Sequence, residues 1–127
     1  MTDEKLLAAL EDASLPDADF RHRDHLRAAY LYLRRDGFAE AVGTMSAALR
    51  RFAASRGKAE RYHETVTIAF LALINERLAS SGDPGSFDAF VARHPEIAER
   101  DLLARYYRPE TLASENARRS FVLEPRA

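Results

Sequence analysis

The sequence contains no cysteine and no tryptophan, and it has only five glycines and five prolines among 127 residues. The absence of cysteine excludes disulfides, thiolate metal sites, iron-sulfur clusters and cysteine nucleophiles. No apolar run approaches the roughly 18 to 20 residues that a membrane-spanning helix needs. The N-terminus also lacks the basic and then apolar order of a signal peptide. These absences predict a cytoplasmic protein without a membrane partner.

The chain has almost no excess charge of either sign. Its 19 lysines and arginines face 20 aspartates and glutamates, which gives a net charge of -1. Because this balance produces no overall field that would attract a phosphate backbone, we expect no nucleic-acid partner. Five arginines lie in or next to the second predicted helix: Arg21, Arg23, Arg27, Arg34 and Arg35. We interpret them first as a solvated helix face and second as a surface that binds an anionic group.

Helix-favouring residues dominate, and no segment alternates apolar and polar residues as a half-buried strand does. We therefore predict an all-α fold, a compact bundle of about five or six helices in one domain. The predicted helices are Asp3–Asp12, Phe20–Arg35, Phe38–Ala54, Glu60–Ala79, Ser86–Arg93 and Glu96–Tyr106. The fourth has apolar residues on more than one face, which predicts a central position or a homodimer seam. From about residue 107 the pattern weakens, which indicates a less regular tail with a short helix near Leu112 to Arg119.

Three of the four histidines stand near the starts of the second and fourth predicted helices. His22 and His25 are spaced i, i+3 on the apolar stripe of one helix, and His63 lies on an apolar stripe of the other. Short loops would bring these two helix starts to the same end of a bundle, so we expect the three imidazoles to converge. Three imidazoles with an open fourth position are typical of a catalytic metal site, and zinc or iron(II) suits such ligands best.

Carboxylates and the remaining histidine have less specific patterns. Glu64 follows His63 directly, and neighbouring helical residues diverge by roughly 100°, so the two cannot easily reach one ion. A role as general base or as hydrogen-bond partner of a ligand suits Glu64 better. Stabilisation of the first helical turn explains it equally well. The histidines could likewise be partly buried structural residues, or acid-base groups without a metal. His94, before Pro95, fits a helix C-terminus better than the cluster.

Three segments follow one another along the chain: Phe-x-His-x-x-His from Phe20, Tyr-His-Glu-Thr from Tyr62, and Tyr-Tyr-x-Pro-x-x-Leu-x-Ser-x-x-Ala-Arg from Tyr106. In these segments and their order the chain resembles a family of small, uncharacterised, all-helical bacterial proteins. The family has Ser after the tyrosine pair, where this chain has Arg108. The resemblance spans about Phe20 to Phe121 and implies that ten residues form one site: Phe20, His22, His25, Tyr62, His63, Glu64, Thr65, Leu112, Ser114 and Arg118.

Two functional hypotheses come from these patterns. In the first, the chain is a small metal-dependent enzyme that acts on a small molecule, with zinc or iron held by His22, His25 and His63. Glu64 is then the catalytic residue, and the substrate-binding residues are Tyr62, Thr65 and Arg118. In the second, the chain is a non-catalytic module that binds a small ligand in the same cavity or a partner protein on a helical face.

Overall fold

The structure is a computed structural model that describes residues 1–125. Seven α-helices follow one another in these residues: α1 Asp3–Glu11, α2 His22–Asp36, α3 Phe38–Ser55, α4 Glu64–Ser81, α5 Phe87–Arg93, α6 Pro109–Leu112 and α7 Glu115–Arg119. Four 3₁₀ turns connect them: Asp17–Asp19, Ala59–Arg61, Pro95–Ala98 and Leu102–Arg105. Residues 1–125 contain no strand, so the predicted all-α bundle is confirmed.

Helix α2 supplies the longest buried stretch of the core, from Leu26 to Leu33. It packs against both α3 and α4, and α1 covers α3 from another side. Their buried apolar side chains form one continuous cluster with α5 and the turns that follow it. None of the helices in the described range is both long enough and apolar enough to cross a membrane.

Helix α4 contributes to two separate apolar clusters, which explains why its apolar residues occupy more than one face. Leu71 and Ile74 belong to the main core, with α2 and α3. Ala69 packs in a second cluster with Leu103 and Tyr107. Helix α4 therefore lies between the main core and the C-terminal segment, residues 107–125, in the central position that the sequence predicted.

Several predicted helix boundaries were wrong because a polar group ends or caps the helix locally. Helix α2 begins at His22 and not at Phe20, since Arg21 is extended and its N–H donates to the carboxylate of Asp24 at 2.9 Å. Helix α4 begins at Glu64 and not at Glu60, because Ala59–Arg61 form a 3₁₀ turn and the extended His63 caps the helix by accepting the N–H of Val66. Capping side chains therefore decided where the helices start.

The helix predicted between Glu96 and Tyr106 is replaced by two 3₁₀ turns. Glu99 is extended, with φ -73° and ψ 127°, and it separates the turn at Pro95–Ala98 from the turn at Leu102–Arg105. The short helix predicted near Leu112 is likewise divided into α6 and α7, because Ser114 is extended and caps α7 by accepting the N–H of Ala117. These breaks let the C-terminal segment follow the surface of α4.

Candidate functional site

Two neighbouring cavities lie between α2, α3 and α4. The first cavity has a volume of about 330 Å³, with an apolar wall that includes Phe20, Leu49 and Phe52. The second has a volume of about 270 Å³. Both are lined by the same four residues where they meet, His25, Leu49, Val66 and Thr67. These four residues therefore form a common wall between the two cavities.

His25 belongs to this common wall. Its ring stacks on Phe20, with the centroids 3.8 Å apart and the planes inclined by 19°. Burial, helped by the nearby His22 ring, lowers the pKa of His25 from 6.5 to about 4. The imidazole is therefore neutral near pH 7, and it offers a hydrogen-bonding group without a positive charge.

His22 lines the second cavity, one helical turn before His25. Its ring meets Phe70 edge-on, with the centroids 5.5 Å apart. Burial and the charge of Arg100 lower the pKa of His22, which also favours its neutral form. The Nε2 atom is buried and has no hydrogen-bond partner within residues 1–125. A buried polar atom without a partner costs about 1–3 kcal/mol, so this nitrogen is a natural contact for a ligand or an ion.

His63 lines the first cavity, but both of its ring nitrogens have partners. Nδ1 accepts the N–H of Val66 at 3.1 Å and so caps α4. In a neutral ring the proton must then be on Nε2, which donates to the carbonyl of Leu112 at 2.7 Å. In this arrangement neither nitrogen has a lone pair free for a metal.

The three imidazoles are close in the fold without forming one ligand set. His25 borders both cavities, whereas His22 borders the second and His63 the first. No three side chains of the metal-ligating types are arranged to hold an ion in the part of the chain that the structure describes. A metal bound by all three imidazoles would require His63 to release Val66 and Leu112.

Glu64 lies in a polar cluster between α3 and α4. Its carboxylate accepts hydrogen bonds from the Tyr62 hydroxyl, from Ser46 at 3.1 Å and from Arg50 at 3.2 Å. Burial and the bond to Glu64 raise the pKa of Tyr62. Tyr62 lines the first cavity, and Glu64 is not among the lining residues of either one. The contacts of Glu64 therefore position the Tyr62 ring at the cavity wall.

Thr65 and Arg118, the other predicted substrate-binding residues, lie where α4 meets the C-terminal segment. The Thr65 hydroxyl is buried, donates to the carbonyl of Ser120 at 2.7 Å and accepts the N–H of Val122 at 3.1 Å. Arg118 binds Glu115 and also donates to the carbonyl of Glu60 at 3.3 Å. The structure thus brings most of the predicted site residues around the start of α4. The histidines and Tyr62 line the cavities, whereas Thr65 and Arg118 contact other parts of the chain and line neither cavity.

The basic rim of the first cavity was missed at the level of the sequence. Arg56, Lys58 and Arg61 belong to the connection between α3 and α4. None of the three was predicted as a site residue, and Arg61 was predicted to lie inside the helix Glu60–Ala79. Their close spacing was the available signal.

His94 follows α5, as predicted, and its ring lies 5.1 Å from the ring of Phe90.

No protein-family model, curated protein or solved structure matches the chain. The geometry and charge of the two cavities are therefore the features that point to a function.

Proposed function

We propose that this chain is a small-molecule-binding domain whose ligand occupies the first cavity. The observation that carries the proposal is an existing cavity of about 330 Å³ with an apolar wall and a few polar groups. Small-molecule sites in proteins have volumes of roughly 300–1,000 Å³ and the same kind of lining. The proposal is that a small molecule binds in this cavity, and it includes no catalytic step.

The side chains of the cavity wall support this proposal because their contacts fix them before a ligand arrives. Phe20 stacks on His25, and Phe20 also meets Phe52 edge-on with the centroids 5.1 Å apart. Tyr62 is held by Ser46 and Glu64. A wall whose side chains are already fixed loses little conformational entropy when a ligand binds.

Blocking the cavity tests the proposal. Ala53 on α3 lines the first cavity, whereas the next residue, Ala54, is exposed and does not. We expect small aromatic fragments to shift the backbone amide signals of Phe20 and Val66 in an NMR titration. Ala53→Trp should abolish these shifts by filling the cavity, and Ala54→Trp, the matched control, should preserve them. Shifts that survive Ala53→Trp, or fragments that never reach these amides, would overturn the proposal.

A metal-dependent enzyme is the second candidate, and the unpaired Nε2 of His22 is the observation that favours it. His22 and His25 are one turn apart on α2, so two imidazoles could contribute to a zinc or iron(II) site at the second cavity. Such a metal would supply a Lewis acid for a bound water or substrate. His63 would join only after losing its present hydrogen bonds, and Glu64 would act only after leaving Tyr62 and Arg50.

Metal binding is tested with untagged protein reconstituted separately with Zn²⁺ and Fe²⁺. Near-stoichiometric metal by elemental mass spectrometry, with matching shifts of the His22 and His25 ring protons, supports the metal site. His22→Ala should lose the metal while His94→Ala, outside both cavities, should retain it. Protein that stays metal-free with both ions would rule this candidate out.

A further inference from the structure

We infer that the ligand of the first cavity is an organic anion, with an aromatic or other apolar body and a carboxylate or phosphate group. This inference rests on the proposed small-molecule function and adds the chemical class of the ligand. It depends on the rim of the cavity, where positive charge is concentrated although the whole chain has a net charge of -1.

The charges at the rim do not cancel. Arg56, Lys58 and Arg61 line the cavity together with a single carboxylate, that of Asp17. Asp17 is paired with Lys58, its oxygen 2.8 Å from Nζ. Within residues 1–125, neither Arg56 nor Arg61 forms a salt bridge with Asp17, although the charges of both arginines help Lys58 to lower the pKa of this carboxyl group. One carboxylate therefore faces three cations at the rim. Two guanidinium charges thus remain at the entrance, next to an apolar interior.

Arg56 is fixed in place without being neutralised. Its guanidinium donates to the carbonyls of Ala13 and Leu15 and to the Ser55 hydroxyl, all of which are uncharged acceptors. It also lies over the ring of Phe52, 4.6 Å from the ring centroid. A positioned cation beside an aromatic wall suits an anion, because charge-assisted hydrogen bonds are about twice as strong as neutral ones.

Arg61 is the second arginine at the rim of the cavity. It is exposed, and it belongs to the 3₁₀ turn that precedes Tyr62 and His63. The neutral His25 ring adds no charge at the inner wall, so the positive charge is confined to the rim. A ligand that matches this pattern places its apolar body against Phe20 and Phe52 and its anionic group between Arg56 and Arg61.

The test compares ligands of the same shape and different charge. Benzoate and phenyl phosphate are the anionic probes, benzamide is the neutral probe, and acetate and inorganic phosphate are anions without an aromatic body. At low ionic strength we expect the aromatic anions to bind at least about tenfold more tightly than benzamide, a factor that corresponds to about 1.4 kcal/mol. Isothermal titration calorimetry gives the affinities, and NMR amide shifts verify the site. Added salt should weaken the aromatic anions selectively.

Arg61→Gln is the decisive variant because Arg61 is exposed and its side chain forms no hydrogen bond or salt bridge within residues 1–125, so we expect the variant to fold. We expect it to weaken benzoate and phenyl phosphate by about three- to tenfold and to leave benzamide unchanged. Arg51→Gln, an exposed arginine of α3 outside the cavity lining, is the matched control and should change neither. Whichever of the two aromatic anions binds more tightly identifies the anionic group.

The outcomes separate the two proposals. If benzamide binds as tightly as both aromatic anions, the inference is wrong while the small-molecule function stands. If acetate and inorganic phosphate bind as tightly as the aromatic anions, the apolar wall contributes nothing and the inference is also wrong. If no probe, charged or neutral, reaches the cavity amides, both proposals are contradicted.

Discussion

Removal of the Thr65 hydroxyl should weaken the attachment of the C-terminal segment to α4. Thr65 is 0% exposed, and its hydroxyl joins the two parts of the chain by one donated and one accepted hydrogen bond. Thr65→Val keeps the shape of the side chain and removes both bonds. The Val122 N–H and the Ser120 carbonyl then lose their partner in the fold.

The expected size of the effect comes from these two bonds. A typical intramolecular hydrogen bond contributes about 1 kcal/mol net, so the substitution should lower the free energy of unfolding by about 2 kcal/mol. For a chain of 127 residues, the unfolding entropy of about 2.1 cal/mol/K per residue converts this loss into a fall in Tm of about 7 °C. Ser120 is exposed, so water can satisfy its carbonyl and the penalty should not be much larger.

Thermal unfolding followed by circular dichroism measures the global effect, and hydrogen exchange at the Val122 amide measures the local one. Thr65→Ser should retain most of the stability because it keeps the hydroxyl. Thr44→Val, on the half-buried side of α3, is a control for the same chemical change away from the C-terminal segment. An unchanged Tm together with unchanged exchange at Val122 would refute the reasoning.

Two further predictions concern a partly buried histidine and a partly buried ion pair. Because burial holds the pKa of His25 at about 4, below its ordinary value of 6.5, the unfolded chain takes up the proton first. The stability from this group is therefore present above pH 6.5 and is lost as the pH falls from 6.5 to about 4. Urea unfolding at a series of pH values should show that the free energy of unfolding falls with pH in this range, and His25→Gln should reduce the slope. An NMR titration of the His25 ring with a midpoint near 6.5 would contradict this prediction. Arg77→Gln should lower the free energy of unfolding, measured with urea, by about 1.5–3 kcal/mol because it breaks a charged hydrogen bond to Glu96. That bond is 2.7 Å long, and the two side chains are 16% and 26% exposed. Arg119→Gln, from an exposed pair, should cost less than about 0.5 kcal/mol, and equal losses would contradict this ranking.

The helices were predictable because their causes are local in sequence. Apolar residues at helical spacing and the wide apolar surface of α4 predicted the bundle and its central helix. The start of α4 was not predictable in this way, because it depends on how His63 is oriented. Its ring caps the helix locally, but it also binds a carbonyl 49 residues further along the chain.

The candidate site was predictable in part for the same reason. The i, i+3 spacing of His22 and His25 indicated that both face the interior, and both line the second cavity. The basic rim could not be identified from local pattern, because the position of Arg56 depends on carbonyls 41 and 43 residues earlier. Nothing in the connection itself indicates that its cations border a cavity.

The two hydrogen bonds of His63 have a thermodynamic consequence. One ring lines the first cavity and also holds the C-terminal segment through Leu112. A ligand that takes the Nε2 proton competes with the Leu112 carbonyl, so its affinity and the docking of the segment oppose each other. A ligand that uses the wall as it stands favours the docked segment instead. Since such coupling is reciprocal, any change that alters docking must alter the affinity of that ligand by the same factor.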